Sequence, residues 1–298
     1  MIDWLSLANN RLSEIDQQLL TGDFNSQNFF IIGAPRAGTT LLNQFIAACC
    51  EVGYVDNLMA SFWRAPSFGA FLSNKLIKNK KLSSNSTYGQ TALISDPHEF
   101  GKFWRDSLGY TNMVQREKHM VDWCPLIKNL NNIAEVYERP MLYKVFQLYW
   151  HIEEFQKLKS NTKWVWIERD FQENIKSLLM FREKMTGSKS NWVSAKPLLS
   201  NQFTEFSDEI QVASQVIGIN EWISKQFQKI EQDKWLKIQY EDLIEDPYRA
   251  ISIISEFLDV ELRASDAVEF IKNINPLACF KKDKVIQRAI DTIHASNG

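Results

Sequence analysis

The apolar positions of this chain gather in short runs. Four of them, at 29–32, 141–146, 164–167 and 235–239, hold mainly Phe, Ile, Leu, Val and Trp with little alternation of polar residues. Runs of that length and density predict strands buried on both faces, as in a parallel sheet. Helical patterns follow them: LLNQFIAACC after the first, FQENIKSLLMFREKM after the third, and PYRAISIISEFL after the fourth. In the last of these Pro247 is suited to the first helical position, where its missing N–H costs nothing. Strand, loop and helix repeated in this order predict an α/β fold, a parallel sheet flanked by helices, with ligands at the carboxyl ends of the strands.

Two stretches break the rhythm. Residues 54–125 are dense in aromatics, among them Trp63, Phe68, Phe100, Phe103 and Trp104, with basic residues between. We expect inserted helices there, either built around a second ligand or packed ordinarily with their aromatics serving the core. Residues 186–215 are polar and weakly periodic, and are expected to form a mobile cover. With no fixed-period repeat and no Pro- or Gly-rich linker, residues 1–298 are read as one domain with an elaborated middle.

Charge and composition narrow the classes without choosing one. A net charge of -2 gives no reason to expect nucleic acid or an acidic membrane surface as a partner. Asp3, Glu14 and Asp16 at the start, without a basic-then-apolar order, speak against a signal peptide. No run approaches the roughly 18 apolar residues of a membrane span. The expectation is a cytoplasmic protein whose Cys49, Cys50, Cys124 and Cys279 are thiols without metal spacing.

The chemistry-bearing stretch is GAPRAGTT, residues 33–40, directly after the first apolar run. Its spacing is that of a phosphate-binding P-loop, in which successive N–H groups and a helix N-terminus converge on an anion. Gly33 and Gly38 leave the backbone free to take that path. Thr39, however, occupies the place where a nucleotidase keeps its lysine, and Arg36 has entered the loop. Losing the lysine makes sense if the transferred group carries less charge than a phosphoryl, as a sulfuryl does.

PRAGTT after a strand resembles the 5′-phosphosulfate loop of sulfotransferases that use 3′-phosphoadenosine 5′-phosphosulfate (PAPS). The resemblance implies a P-loop NTPase-like fold and assigns Arg36, Ala37, Gly38, Thr39 and Thr40 to the 5′-phosphosulfate. WVWIERDFQENIKS resembles the family's second element, a strand ending in Arg-Asp with a serine eight residues after the arginine. It implies that Arg169 and Ser177 contact the 3′-phosphate. The proline that often follows Arg-Asp is replaced here by Phe171. QYEDLIEDP, residues 239–247, is similar to a family segment given a structural role, tying loops and capping the Pro247 helix. Lys144 stands where several members hold a lysine beside the donor's bridging oxygen.

By that resemblance the reaction is a metal-free in-line transfer to a hydroxyl or amine of a small molecule or carbohydrate bound by the 54–125 insertion. His98 in SDPHEFGKFW is the first choice of base, because imidazole accepts a proton at neutral pH without special tuning. Glu99 and Asp56 are the alternatives, and Phe100, Phe103 and Trp104 are expected to wall the acceptor pocket. A P-loop kinase of small metabolites is the second reading, with Glu168 imitating a magnesium-site carboxylate. A third is a binding protein that kept the nucleotide fold. Lys281 and Lys282 form a basic pair near the tail.

Overall fold

The computed structural model describes residues 3–19, 22–77, 82–84, 86, 89, 91–117, 119–274 and 282–297. Cys279 and Lys281 lie outside them. Five strands form one sheet: β1 (Asn28–Ile32), β2 (Gly53–Tyr54), β3 (Met141–Lys144), β4 (Thr162–Glu168) and β5 (Trp235–Gln239). Their order is β2-β3-β1-β4-β5, and every pairing is parallel. Four strands fall on the four apolar runs. The two-residue β2 at the edge is too short to leave a pattern in the sequence.

Side chains that alternate along a strand go to opposite faces. Phe30, Ile32, Tyr143, Trp164 and Trp166 belong to one apolar cluster, and Phe29, Ile31, Leu142, Val165 and Ile167 to the other. On the first face the rings run across three strands. Phe30 stacks on Tyr143 at 5.4 Å and on Trp164 at 4.9 Å, each at its paired register position.

The helices in chain order are α1 (Trp4–Leu19), α2 (Thr39–Cys49), α3 (Asn57–Ala60), α4 (Pro66–Leu76), α5 (Gly101–Leu108), α6 (Trp123–Tyr137), α7 (Ile152–Leu158), α8 (Phe171–Thr186), α9 (Asp208–Phe227), α10 (Tyr240–Glu245), α11 (Pro247–Leu258), α12 (Ala264–Lys272) and α13 (Lys284–Asn297). Residues of α2, α10, α11 and α12 pack on one face of the sheet, and residues of α5, α6, α7, α8, α9 and α13 on the other. Among the described residues no helix is long and apolar enough to cross a membrane. β3 lies on one side of β1 and β4 on the other, so the chain reverses its direction of winding at β1. The crevice at that reversal, outside the carboxyl end of β1, is where such sheets bind ligands.

Local chemistry starts and stops these helices where the sequence suggested. Asp170 caps α8 by accepting from Glu173 N at 3.0 Å, so Phe171 serves as its first residue without proline. Gly187 ends α8 at a φ of 76°. Asp246 accepts from Arg249 N at 3.0 Å ahead of Pro247, and Glu241 takes the Asp170 N–H at 3.1 Å, tying the ends of β4 and β5 together.

The insertion differs from expectation in one respect. Phe103 and Trp104 are each 1% exposed and pack with Phe30 and Tyr143 in the core instead of walling a pocket. The reason is the turn of α5: its apolar face goes inward, which leaves Lys102 and Arg105 on the outer face. Residues 186–215, the expected cover, are held at several points. Ala195, Ser200 and Phe203 are buried, the backbone of Lys196 bonds both Met113 and Gln115, and residues from 208 onward are already α9.

Candidate active site

The loop after β1 is shaped by two close approaches and two left-handed residues. A Cβ on Gly33 would lie 2.5 Å from the carbonyl oxygen of Ile167, so β4 admits only glycine there. Arg36 has φ 70° and Gly38 φ 105°, turning the chain so that α2 begins at Thr39. No side chain caps α2, which leaves its first amides to an incoming anion. From α8, Asn174 Nδ2 donates to Pro35 O at 2.7 Å and pins the loop's crest.

Three cations expected at the site come from different elements. Arg36 Nε donates to Ser177 Oγ at 3.3 Å, and its guanidinium lies 5.5 Å from the Phe181 ring, so one turn of α8 positions the arginine. Arg169, at the end of β4, is 2% exposed, bonded to Glu173 Oε2 at 2.7 Å and stacked 4.8 Å over Tyr240. Lys144, the last residue of β3, is 3% exposed and donates to Thr40 Oγ1 at 2.8 Å. The lysine absent from position 39 is thus replaced by an ammonium from the adjacent strand, whose register sets Lys144 beside Ile31.

On its other side Lys144 Nζ pairs with Glu99 Oε2 at 3.1 Å. Glu99 in turn lines a cavity of about 480 Å³, together with Trp63, His98, Lys102, Arg105 and Gln147. One lysine therefore links the loop to the cavity. This is the arrangement a group transfer needs, with a donor anion on one side of an ammonium and an acceptor on the other.

His98, the first choice of base in the sequence, sits at that junction. Phe100 N donates to His98 Nδ1 at 2.8 Å, and burial lowers the pKa of the ring below its ordinary value. A neutral imidazole has one N–H and one lone pair. With the lone pair at Nδ1 taken by Phe100, the proton resides on Nε2, and that nitrogen is a donor. Phe100 holds this amide in place at φ 56°, a strained backbone of the kind found at functional sites. Asp56, the other carboxylate alternative, is fully buried, caps α3 through Met59 N at 2.9 Å and accepts from Ser73 Oγ. Among the three carboxylate and imidazole candidates, Glu99 alone is a partly exposed acceptor on the cavity.

The sequence reading missed Glu173 and Tyr240 around Arg169. The Arg169 to Glu173 spacing, i to i+4 at a helix start, was a readable signal; the return of Tyr240 from 71 positions away along the chain was not. Glu168, which a kinase reading would place on magnesium, is held by Lys237 Nζ at 2.6 Å and Gln239 Nε2 at 3.3 Å.

The sequence profile of the sulfotransferase family matches residues 28–264. No curated protein matches the chain by sequence. Among solved structures, sulfotransferase STF9 from Mycobacterium avium is similar at a TM-score of 0.65 and 12% identity, over 99% of this chain and 83% of that one. Sulfotransferase STF1 from Mycobacterium tuberculosis H37Rv is similar at 0.55 and 14% identity, over 97% and 81%. The sulfotransferase domain from the curacin biosynthetic pathway is similar at 0.51 and 15%, over 90% and 98%. At these identities the likeness is one of fold.

Proposed function

The chain belongs to the sulfotransferase family, and on that premise we propose that it moves a sulfuryl group from PAPS to a hydroxyl or amine of a small molecule or carbohydrate. We read residues 1–298 as one domain serving that reaction. The observation that carries the reading is Lys144 standing between the loop and the cavity, 2.8 Å from Thr40 and 3.1 Å from Glu99.

In this reading the amides after Gly33, with Arg36, Ala37, Gly38, Thr39 and Thr40, hold the 5′-phosphosulfate, and Arg169 with Ser177 takes the 3′-phosphate. A guanidinium suits that phosphate because its fork of N–H groups bonds two oxygens at once. The acceptor oxygen attacks sulfur in line and passes its proton to Glu99. The bond from sulfur to the bridging oxygen breaks, and 3′-phosphoadenosine 5′-phosphate (PAP) departs with the electron pair. Lys144 faces the charge that grows on that oxygen, where fixed donors contribute most. His98 supplies an N–H donor at the same place.

Calorimetric titration with PAP tests the reading. Wild-type protein should bind it without magnesium, and Arg36→Ala or Arg169→Ala should weaken binding about 10- to 100-fold, as expected for loss of a hydrogen bond to a charged group. No heat of PAP binding by the wild type would remove the proposal.

A further inference from the structure

The acceptor cavity is one-sided in its charges. Beside Asn57, Ser61 and His98, its lining holds Lys102, Arg105 and Gln147 as donors and, among the described residues, one carboxylate, Glu99, which already faces Lys144. Lys102 and Arg105 lie three residues apart on α5 and so share a face. Trp63, another lining residue, carries the Lys102 ammonium 4.1 Å from its ring centre. Asp106, the acidic neighbour of Arg105 in the chain, is engaged elsewhere, by Arg64 at 3.3 Å. Asp3 is near enough to Lys102 to feel its charge and offsets part of it. Gln147 is 2% exposed, and its side-chain Nε2 has no hydrogen-bond partner among the described residues. A buried donor left without an acceptor is costly unless a ligand satisfies it.

We infer that the acceptor is an amphipathic alcohol or phenol carrying a separate anionic group, of which a carboxylate is the simplest case, and that Lys102, Arg105 and Gln147 recognise that anion. Two cations against one Asp3 leave the mouth of the cavity with a net positive charge that suits a monoanion. The apolar body of such an acceptor has Trp63, Met113 and Leu5 to lie against. Its hydroxyl then reaches Glu99, the one carboxylate among the described lining residues. This inference rests on the sulfotransferase reading of the neighbouring loop.

The test compares 3-(4-hydroxyphenyl)propanoate with 3-(4-hydroxyphenyl)propanamide, which share ring and hydroxyl and differ in charge. Binding of each to PAP-loaded protein is measured by calorimetry, and sulfuryl transfer from PAPS by mass spectrometry. The propanoate should bind at least about 10-fold more tightly. The double variant K102Q/R105Q should abolish that preference and leave PAP affinity unchanged, and Gln147→Leu should weaken propanoate binding in a chain of unaltered melting temperature. Equal affinity for the two probes, binding of neither, or a preference that survives the double substitution overturns the inference while PAP binding stands. Failure of the wild type to bind PAP would instead strike the donor reading and this inference with it.

Discussion

Thr39 stands where a nucleotidase loop keeps its lysine, and the ammonium has moved to another strand. Lys144 arrives from β3 and bonds Thr40 at 2.8 Å. Its placement between the loop and the cavity, and not in the loop itself, predicts on the proposed function a division of effects. Lys144→Met should lower the single-turnover rate of sulfuryl transfer to the propanoate probe by about 10²- to 10³-fold. PAP affinity, measured on the same variant, should change far less. Glu99→Gln should likewise remove transfer and leave PAP bound, and His98→Asn, which loses the Nε2 donor but no proton acceptor, should slow transfer by about 10²- to 10³-fold, as Lys144→Met does. Gly38 makes a second residue-scale case. At φ 105°, with an added Cβ reaching 2.5 Å from the Tyr240 ring, Gly38→Ala should strain the loop by on the order of 1–3 kcal/mol, seen as a lower melting temperature and weaker PAP binding. The need for glycine at 33 and 38 was legible, because spacing alone implies a turn of bare amides. The ring behind Gly38 and the amide that fixes His98 were not. Both depend on which residue the fold returns to that spot.

At the scale of elements, the strands and the helices after them were readable because burial on both faces leaves an unbroken apolar run. The ring row Phe30, Tyr143 and Trp164 shows why this sheet centre tolerates such bulk: parallel register stacks equivalent positions of three strands. Phe30→Ala should therefore cost about 3–5 kcal/mol, read as a lower urea midpoint at unchanged slope. The short helix α5 was misread for a stated reason. Its aromatics were taken as ligand walls, but a helix shows one face to the core, and there Phe103 and Trp104 belong to the core and the cations to the cavity. Period alone could have sorted these residues; what it could not show was which face met the ligand.

Over the whole molecule, the cavity draws Leu5, Trp63, Met113 and Gln147 from separate stretches around the run from His98 to Arg105, so local pattern announces that run alone. The meeting of the β1 loop with α8 was legible because two linear motifs carry it. Another long-range junction predicts a pH effect. His151, 8% exposed, bonds Tyr110 OH through Nε2 at 2.9 Å and faces Glu154 at 3.4 Å, with His119 nearby, where the insertion meets the sheet. Burial pushes its pKa down to about 4 from the ordinary value of 6.5. The unfolded chain therefore binds this proton first. The stability His151 contributes is intact above pH 6.5 and is lost as pH falls toward about 4, by a total on the order of 3 kcal/mol. Urea midpoints between pH 7 and pH 5 should fall less steeply for His151→Asn than for the wild type.

The loop of β1 leaves the ribosome early, yet the partners that finish it come late. Thr40 waits 104 residues for Lys144, and Arg36 waits 141 for Ser177. During synthesis the nascent chain thus carries an open loop with nothing to close it, and on the proposed function PAP can template no early folding step. Its protection against proteolysis should appear all at once, when α8 clears the exit tunnel and docks.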